Sequence, residues 1–321
     1  MQLNQILTLQ KIQGIGNKSL IALIEFCRVN HIESVTDLQH LDLSHISKLK
    51  RAAASLNKFF TAGLFDATLK ECMSDLENWK ALSVQIVVFG SSYYPAQLAE
   101  LSDPPAILFC RGNLELLKSA RAIAVVGTRE NTRLGEANAQ RTVAYFSKKE
   151  FCIVSGLALG IDSIAHRAAL ENKGATLAVL VDVINVSPTQ NLKLADQILR
   201  NEGLLISENP PNTKVIPALF VKRDRIQSGL AMAVFAIETT VDGGTMHAVK
   251  AANLLLRPVY VPDAVAAKYA SLDERAISGI QMLVNEGRAK AYSRDTYDEI
   301  TNELNILVNK WTPIPRQTGQ N

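Results

Sequence analysis

Three glycine-bearing loops carry most of the chemistry that this sequence offers. The first is Val126-Gly127-Thr128-Arg129, after the apolar run AIAVV. Glycine lets the backbone approach a ligand closely, and the planar fork of Arg129 suits a phosphate. Gly135 then opens the next helical stretch. The second loop is Ser155-Gly156-Leu157-Ala158-Leu159-Gly160-Ile161-Asp162, after the run FCIV. Its two glycines leave amide groups free to face an anion, and the helix start that follows adds a favourable partial charge. Asp162 suits the N-cap of that helix, a structural part rather than a catalytic one. His166 lies one turn further on and can point back toward the loop. The third loop is Asp242-Gly243-Gly244-Thr245, where a Gly-Gly-Thr helix start makes another anion nest with a hydroxyl donor. Just upstream, Phe220-Val221-Lys222-Arg223-Asp224-Arg225 gathers Lys222, Arg223 and Arg225 into a local positive site near the same sheet edge.

Other chemistries find little support. The second loop lacks the lysine and following Ser/Thr of a Walker A motif and is not a strict G-x-G-x-x-G. Asp182 ends the next apolar run, about 20 residues on, where a ribose-binding acid sits in dinucleotide folds. On loop chemistry alone, mononucleotide and polynucleotide ligands both stay open. There is no G-x-S-x-G elbow, no H-E-x-x-H and no evident nucleophile beside a base, so neither catalysis nor a cofactor is expected. Cys27, Cys72, Cys110 and Cys152 lie far apart, with no C-x-x-C pair and no histidine at ligand spacing. That pattern implies a reducing cytosol and no structural metal. The opening MQLNQILTLQKIQGIG lacks the apolar stretch of a signal peptide, and no window resembles a membrane span. The net charge of +3 is too small to mark a nucleic-acid binder, so any basic footprint must be local.

The elements that must position these loops follow from the apolar pattern. Residues 1–80 have apolar residues at three- and four-residue steps, as in LNQILTLQ and KSLIALIEF, and predict a small helical domain. The character changes at Val84. Short apolar runs at 122–127, 151–156, 176–181, 204–207, 231–238 and 258–262 alternate with amphipathic stretches. This predicts an α/β fold with a doubly wound, mostly parallel sheet covered on both faces. The strand C-termini, and with them all three loops, then share one edge. The tail beyond 290 reads as helical, with a frayed end at WTPIPRQTGQN.

The order of these residues resembles the DNA-processing protein A (DprA/Smf) family. The resemblance runs from about 89 to 290 and includes Tyr94-Pro95, Asp103-Pro104-Pro105, Arg111-Gly112, Val126-Gly127-Thr128-Arg129, the 155–162 loop, Ser207-Glu208, Phe220 to Leu230, Gly243-Gly244-Thr245 and Arg257 to Pro262. It implies an extended Rossmann-like domain over 84–290, flanked by the helical 1–80 domain and a 291–321 tail. It also implies single-stranded DNA as ligand, loading of a RecA-type recombinase during DNA uptake, and a homodimer. The implied contacts are Arg129, the 155–162 loop, Lys222, Arg223 and Arg225, reaching phosphates rather than bases. Asp224 stands where the family carries asparagine; its charge weakens a phosphate contact, and Lys222 is the candidate to offset it. Gly14-Ile15-Gly16, with Lys18, resembles a helix-hairpin-helix turn that offers amides to a DNA phosphate. The alternative reading is a sensor of a nucleotide-derived ligand, or a phosphoribohydrolase-like enzyme, motivated by Asp182 and Gly243-Gly244-Thr245.

Overall fold

A computed structural model of the chain describes residues 1–263 and 274–311. The expected fraying of the last residues falls outside the described residues. The chain divides into two compact units, Met1–Gly90 with Ser102–Leu108, and Ser91–Leu101 with Phe109–Asn321.

The first unit is helical because its apolar residues recur every three or four positions. Helix α1 (Leu3–Lys11) buries Ile6, Leu7 and Leu9. Helix α2 (Asn17–Val29) buries Leu20, Leu23, Ile24 and Cys27. They are followed by α3 (Lys50–Thr61) and α4 (Phe65–Ala81). Lys11 ties α1 to α4 through Glu71 and Asp75, each at 2.7 Å. Between α1 and α2 the chain turns at Gly14, whose φ of +90° suits glycine, and a Cβ there would lie 2.6 Å from Ser55 Oγ. Strand β1 (Gln85–Val88) follows α4, and the Phe89 amide donates to the Ala106 carbonyl at 2.9 Å.

The second unit alternates strands and helices. Strand β2 (Ile107–Gly112) begins in the first unit and ends in the second. Next come β3 (Ala122–Val126), α5 (Arg133–Lys148), β4 (Cys152–Ser155), α6 (Ile161–Glu171) and β5 (Thr176–Val179). Then follow α7 (Leu192–Arg200), β6 (Leu204–Ser207), α8 (Pro217–Leu230), β7 (Ala233–Ala236) and α9 (Thr245–Leu254). The unit closes with β8 (Val259–Pro262), α10 (Glu274–Asn285), β9 (Lys290–Tyr292) and α11 (Tyr297–Trp311). Its sheet runs β2-β6-β5-β4-β3-β7-β8-β9. All neighbours pair in parallel except β2 with β6. Strands β3 to β8 are buried along their whole length, because helices cover both faces.

Two features depart from the reading of the sequence. The charged run 220–225, read as one local positive site, lies inside α8, whose helical turn sends its cations in different directions; α8 starts with Pro217 at its first position, where a proline costs nothing. The segment beyond 290 is more than an attached tail. Tyr292, Tyr297, Ile300 and Leu304 enter the same buried cluster as Phe146, Phe235 and Tyr260. Phe146 lies 4.9 Å from Phe235 and 5.7 Å from Tyr297, ring centre to ring centre. Within this cluster Thr142 Oγ1 meets the hydroxyls of Tyr292 at 2.7 Å and Tyr297 at 2.9 Å.

Replacing Thr142 with valine keeps the shape and removes the hydroxyl that both phenols share. The variant is expected to lose about 1–3 kcal/mol in urea unfolding. An unchanged midpoint would mean that the hydroxyl trio contributes nothing.

Candidate functional site

Strand β3 lies between β4 and β7. The chain proceeds from β3 through β4, β5 and β6 on one side, then through β7, β8 and β9 on the other. This reversal is the place where open α/β sheets hold ligands. A cavity of about 400 Å³ opens there. Gly127, Thr128, Arg129 and Glu130 line it from the β3–α5 loop. Thr239, Thr240, Gly243, Gly244 and Thr245 line it from the β7–α9 loop. Asp162 contributes from α6, and Phe220, Arg223, Asp224 and Gln227 from α8. A second cavity, of about 410 Å³, shares Arg129, Phe220, Asp224 and Gly244 and adds Leu159, Pro188, Val221 and His247.

Two amides of the 155–162 loop turn inward rather than toward a ligand. Gly160, not Asp162, is the N-cap of α6, and Asp162 sits in the first turn. From there its carboxylate Oδ2 accepts from the amides of Gly156 at 3.2 Å and Ala158 at 3.4 Å. An internal anion therefore holds the nest that the sequence suggested for phosphate. Asp162 is only 5% exposed. Burial pushes its carboxyl up, against the pull of Arg223 and the loop amides. Gly156 serves packing, since a Cβ there would fall 1.7 Å from the Arg223 guanidinium. Gly160 has φ +75° and passes so close to the Thr128 carbonyl that a Cβ would lie 2.3 Å from it. The Ile161 amide donates to the same carbonyl at 3.1 Å, locking this loop to the β3–α5 loop. Ser155 donates to the Val125 carbonyl at 2.7 Å and is wholly buried.

A second internal carboxylate occupies the start of α5. Glu238, 1% exposed at the end of the β7 run, accepts from the Thr132 amide at 2.8 Å and its hydroxyl at 2.7 Å. Thr132 in turn caps α5 by accepting from the Gly135 amide at 3.0 Å. A negative charge here complements the positive end of the helix. Gly135 is required because a Cβ would meet Glu238 at 2.4 Å. The start of α9 is different. It has no side-chain cap, and a Cβ on Gly244 would meet nothing within 4 Å. Among the described residues, the Gly244 and Thr245 amides have no acceptor. With the α5 start closed by Thr132 and Glu238, the α9 start borders the cavity with its first amides unpartnered among the described residues.

The cations divide in the same way. Arg129 is exposed, and among the described residues it makes no hydrogen bond or ion pair; its guanidinium lies 5.9 Å from the Phe220 ring centre. Arg223 is not a surface cation. It is 4% exposed, donates to the Val179 carbonyl at 2.7 Å, and pairs with Asp224 at 3.1 Å. Arg225 grips both oxygens of Glu208 at 2.8 Å, and Lys222 reaches the same carboxylate at 3.2 Å. Burial opposes the charge on Glu208, but Arg225 and Lys222 still hold its carboxyl below the usual range. Neither Lys222 nor Arg225 lines the two cavities. Lys222 therefore does not offset Asp224, as the sequence had suggested. Burial, aided by Asp162, pushes the Asp224 carboxyl up to about 6 against Arg223 and Arg129.

Two further residues turn out to be structural. His166 is wholly buried and bonds through Nδ1 to Thr176 Oγ1 at 2.7 Å, so it does not reach the cavity. Burial, then the charges of Arg223 and Arg167, push its ring down to about 3. Asp182 accepts from Ile184 N at 2.8 Å, Asn185 Nδ2 at 3.0 Å and Asn212 N at 2.8 Å, which pins its loop. It lines neither cavity, so the ribose-acid analogy fails. In the first unit Gly16 is the N-cap of α2 without a side-chain bond, and Lys18 is exposed. Glu238, Gln227, Thr239 and Thr240 were missed. The only clue to Glu238 was a carboxylate ending a fully apolar strand. All four cysteines are buried and unpaired. Among the described residues no acidic, cysteine or histidine cluster could hold a metal ion, and no helix is long and apolar enough to cross a membrane.

The sequence pattern of the family described as DNA recombination-mediator protein A matches residues 85–305. The chain belongs to this family. It is 32% identical to the DNA processing protein DprA of Bacillus subtilis over 72% of this chain and 76% of that one. It is 36% identical to the protein Smf of Escherichia coli over 50% of this chain and 43% of that one. The DprA structure from Streptococcus pneumoniae superposes with a TM-score of 0.73 at 27% identity, covering 93% of this chain and 98% of that one. A Helicobacter pylori DprA structure, described for its single-stranded DNA binding mode, gives a TM-score of 0.58 at 25% identity, covering 71% and 97%. The mostly parallel, doubly wound sheet read from the sequence is thus the fold of this recombination-mediator family.

Two outcomes follow from the internal packing of this family member. Gly156→Ala drives a methyl into the Arg223 guanidinium and is expected to cost about 1–3 kcal/mol in thermal unfolding. His166 is accepted only as the neutral ring, whereas in the unfolded chain it titrates near 6.5. Its contribution is therefore present above about pH 6.5 and is lost as the pH falls from there toward 3. Urea unfolding of the protein should show stability falling by up to about 1.4 kcal/mol per pH unit below 6.5 from this group. His166→Gln should flatten that slope; an equal slope in both proteins would refute the assignment.

Proposed function

We propose that this chain binds single-stranded DNA at the switch-point cavity and acts as a recombination mediator. The observation that carries the reading is the pairing of an uncommitted arginine with an uncapped helix start. Arg129 and the open amides of Gly244 and Thr245 border one cavity. Together they supply a point charge, directed N–H donors and the positive end of a helix dipole, the requirements of a phosphodiester. Thr128 and Thr245 add hydroxyls, and Phe220 offers a ring at the shared wall of both cavities. Family membership and the strand-binding description of the Helicobacter pylori relative favour the same ligand.

The part in recombination is mediation rather than catalysis. Of the carboxyl groups on the cavity wall, Asp162 and Asp224 are engaged by loop amides, Arg223 and Gln227, Glu130 is exposed at its rim, and no activated nucleophile is paired with any of them among the described residues. The strand held here would be passed to a RecA-type recombinase in the cytoplasm, with two copies of the chain acting together. A mononucleotide ligand is the weaker reading, because its main motive, Asp182, is consumed by its own loop.

Fluorescence anisotropy with labelled oligothymidylate at fixed salt tests the reading. Arg129→Ala should weaken binding by about tenfold or more, the worth of a charge-assisted phosphate contact. Lys222→Ala, which removes only a half-exposed partner of Glu208, should stay within about twofold. Equal affinity of Arg129→Ala and the unaltered protein, or no strand binding at all, would overturn it.

A further inference from the structure

Asp224 is the acidic side chain common to both cavities, and its surroundings define what it can do. Its Oδ1 accepts from Gln227 Nε2 at 3.0 Å and lies in an ion pair 3.1 Å from Arg223 Nε, without a directed hydrogen bond from it. Among the described residues, Oδ2 has no hydrogen-bond partner. Arg223 cannot cancel the acidic charge alone, because Asp162 on α6 also draws on it. Two carboxyl groups therefore share one buried guanidinium. The neighbouring cations do not relieve the excess, since Lys222 and Arg225 are spent on Glu208. Arg129, from the β3–α5 loop, is the cation left to face it across the cavity.

We propose that Asp224 is a charge gate on this cavity: its carboxylate opposes a phosphodiester, its protonation admits one, and strand affinity rises as the solution becomes acidic. The proposal rests on the reading of the cavity as a DNA site. The electrostatic logic is that of any two like charges in one partly dry space, where one must be neutralised for the other to enter. Burial already brings the Asp224 carboxyl up to about 6, so little further change is needed near neutral pH. An entering phosphate raises it further. By linkage, each unit of that rise gives about tenfold in affinity between the ionised and protonated limits. The groups that face Asp224 are Asp162 on α6, Arg223 and Gln227 on α8, Arg129 and the exposed Glu130 on the β3–α5 loop, and His247 on α9 across the second cavity.

The test compares the protein with Asp224→Asn, which keeps the side-chain shape and removes the titration. Labelled oligothymidylate is the probe, because neither thymine nor a phosphodiester titrates between pH 5 and 8. Anisotropy titrations at constant ionic strength should show the unaltered protein gaining about tenfold from pH 7.5 to 5. Asp224→Asn should bind tightly at both pH values, with a much shallower slope. Equal slopes in the two proteins would overturn the gate while leaving the DNA site intact. Absence of binding by both folded proteins at both pH values would overturn the gate and the DNA site together. Carbon-13 NMR of the Asp224 carboxyl in the unaltered protein gives a second readout that needs no variant. Its titration midpoint should rise when oligothymidylate is added, and an unmoved midpoint with DNA bound would count against the gate.

Discussion

The carboxylate of Asp162 receives the amides of Gly156 and Ala158 from within the first turn of α6. That contact turns a glycine loop, which could have been a phosphate nest, into a rigid support. Arg223 packs over Gly156 and reaches the Val179 carbonyl, and Gly160 lets the loop touch the Thr128 backbone. The β3–α5 loop is thereby held from beneath. Glu238 holds the same loop from the β7 side through Thr132, while its own carbonyl accepts from the Thr128 amide at 2.8 Å. Two buried anions thus supply internally the charge that these loops attract. The exposed position of Arg129 depends on both.

This arrangement explains why anion-binding capacity is concentrated rather than spread. A buried amide must have a partner, and a buried carboxylate must have donors, so the two classes satisfy each other. Along the cavity that pairing leaves, among the described residues, the uncapped start of α9 and Arg129 without partners. A site built this way carries little net positive charge, in keeping with a chain whose formal charge is only +3. Its selectivity comes from directed donors, and its strength is sensitive to single charges such as Asp224.

The fold was legible because strands buried on both faces read as continuous apolar runs. AIAVV, FCIV and AMAVFAIE each became β3, β4 or β7 to within a few residues. Gly127, Gly160, Gly243 and Gly244 were legible as loop glycines for the same reason, since they follow those runs. Which loops were open to a ligand was not legible. The anion that closes the α5 start, Glu238, is 106 residues away in sequence from Thr132. The anion that consumes Lys222 and Arg225 is Glu208, outside the charged run altogether. Arg223 looked like a surface cation because a burial pattern inside α8 cannot be read from four charged residues in a row. Local pattern identifies elements; the partners of a charge are set by tertiary packing.

The central claim is that a single strand lies over Arg129 and the start of α9. Hydrogen exchange measured with and without oligothymidylate tests it most directly, because it reads the backbone amides themselves. Segments 127–130 and 243–247 should gain protection, while the amides of Gly156 and Ala158, already bonded to Asp162, should not change. Binding that protects other regions and leaves 127–130 and 243–247 unaltered would contradict the account.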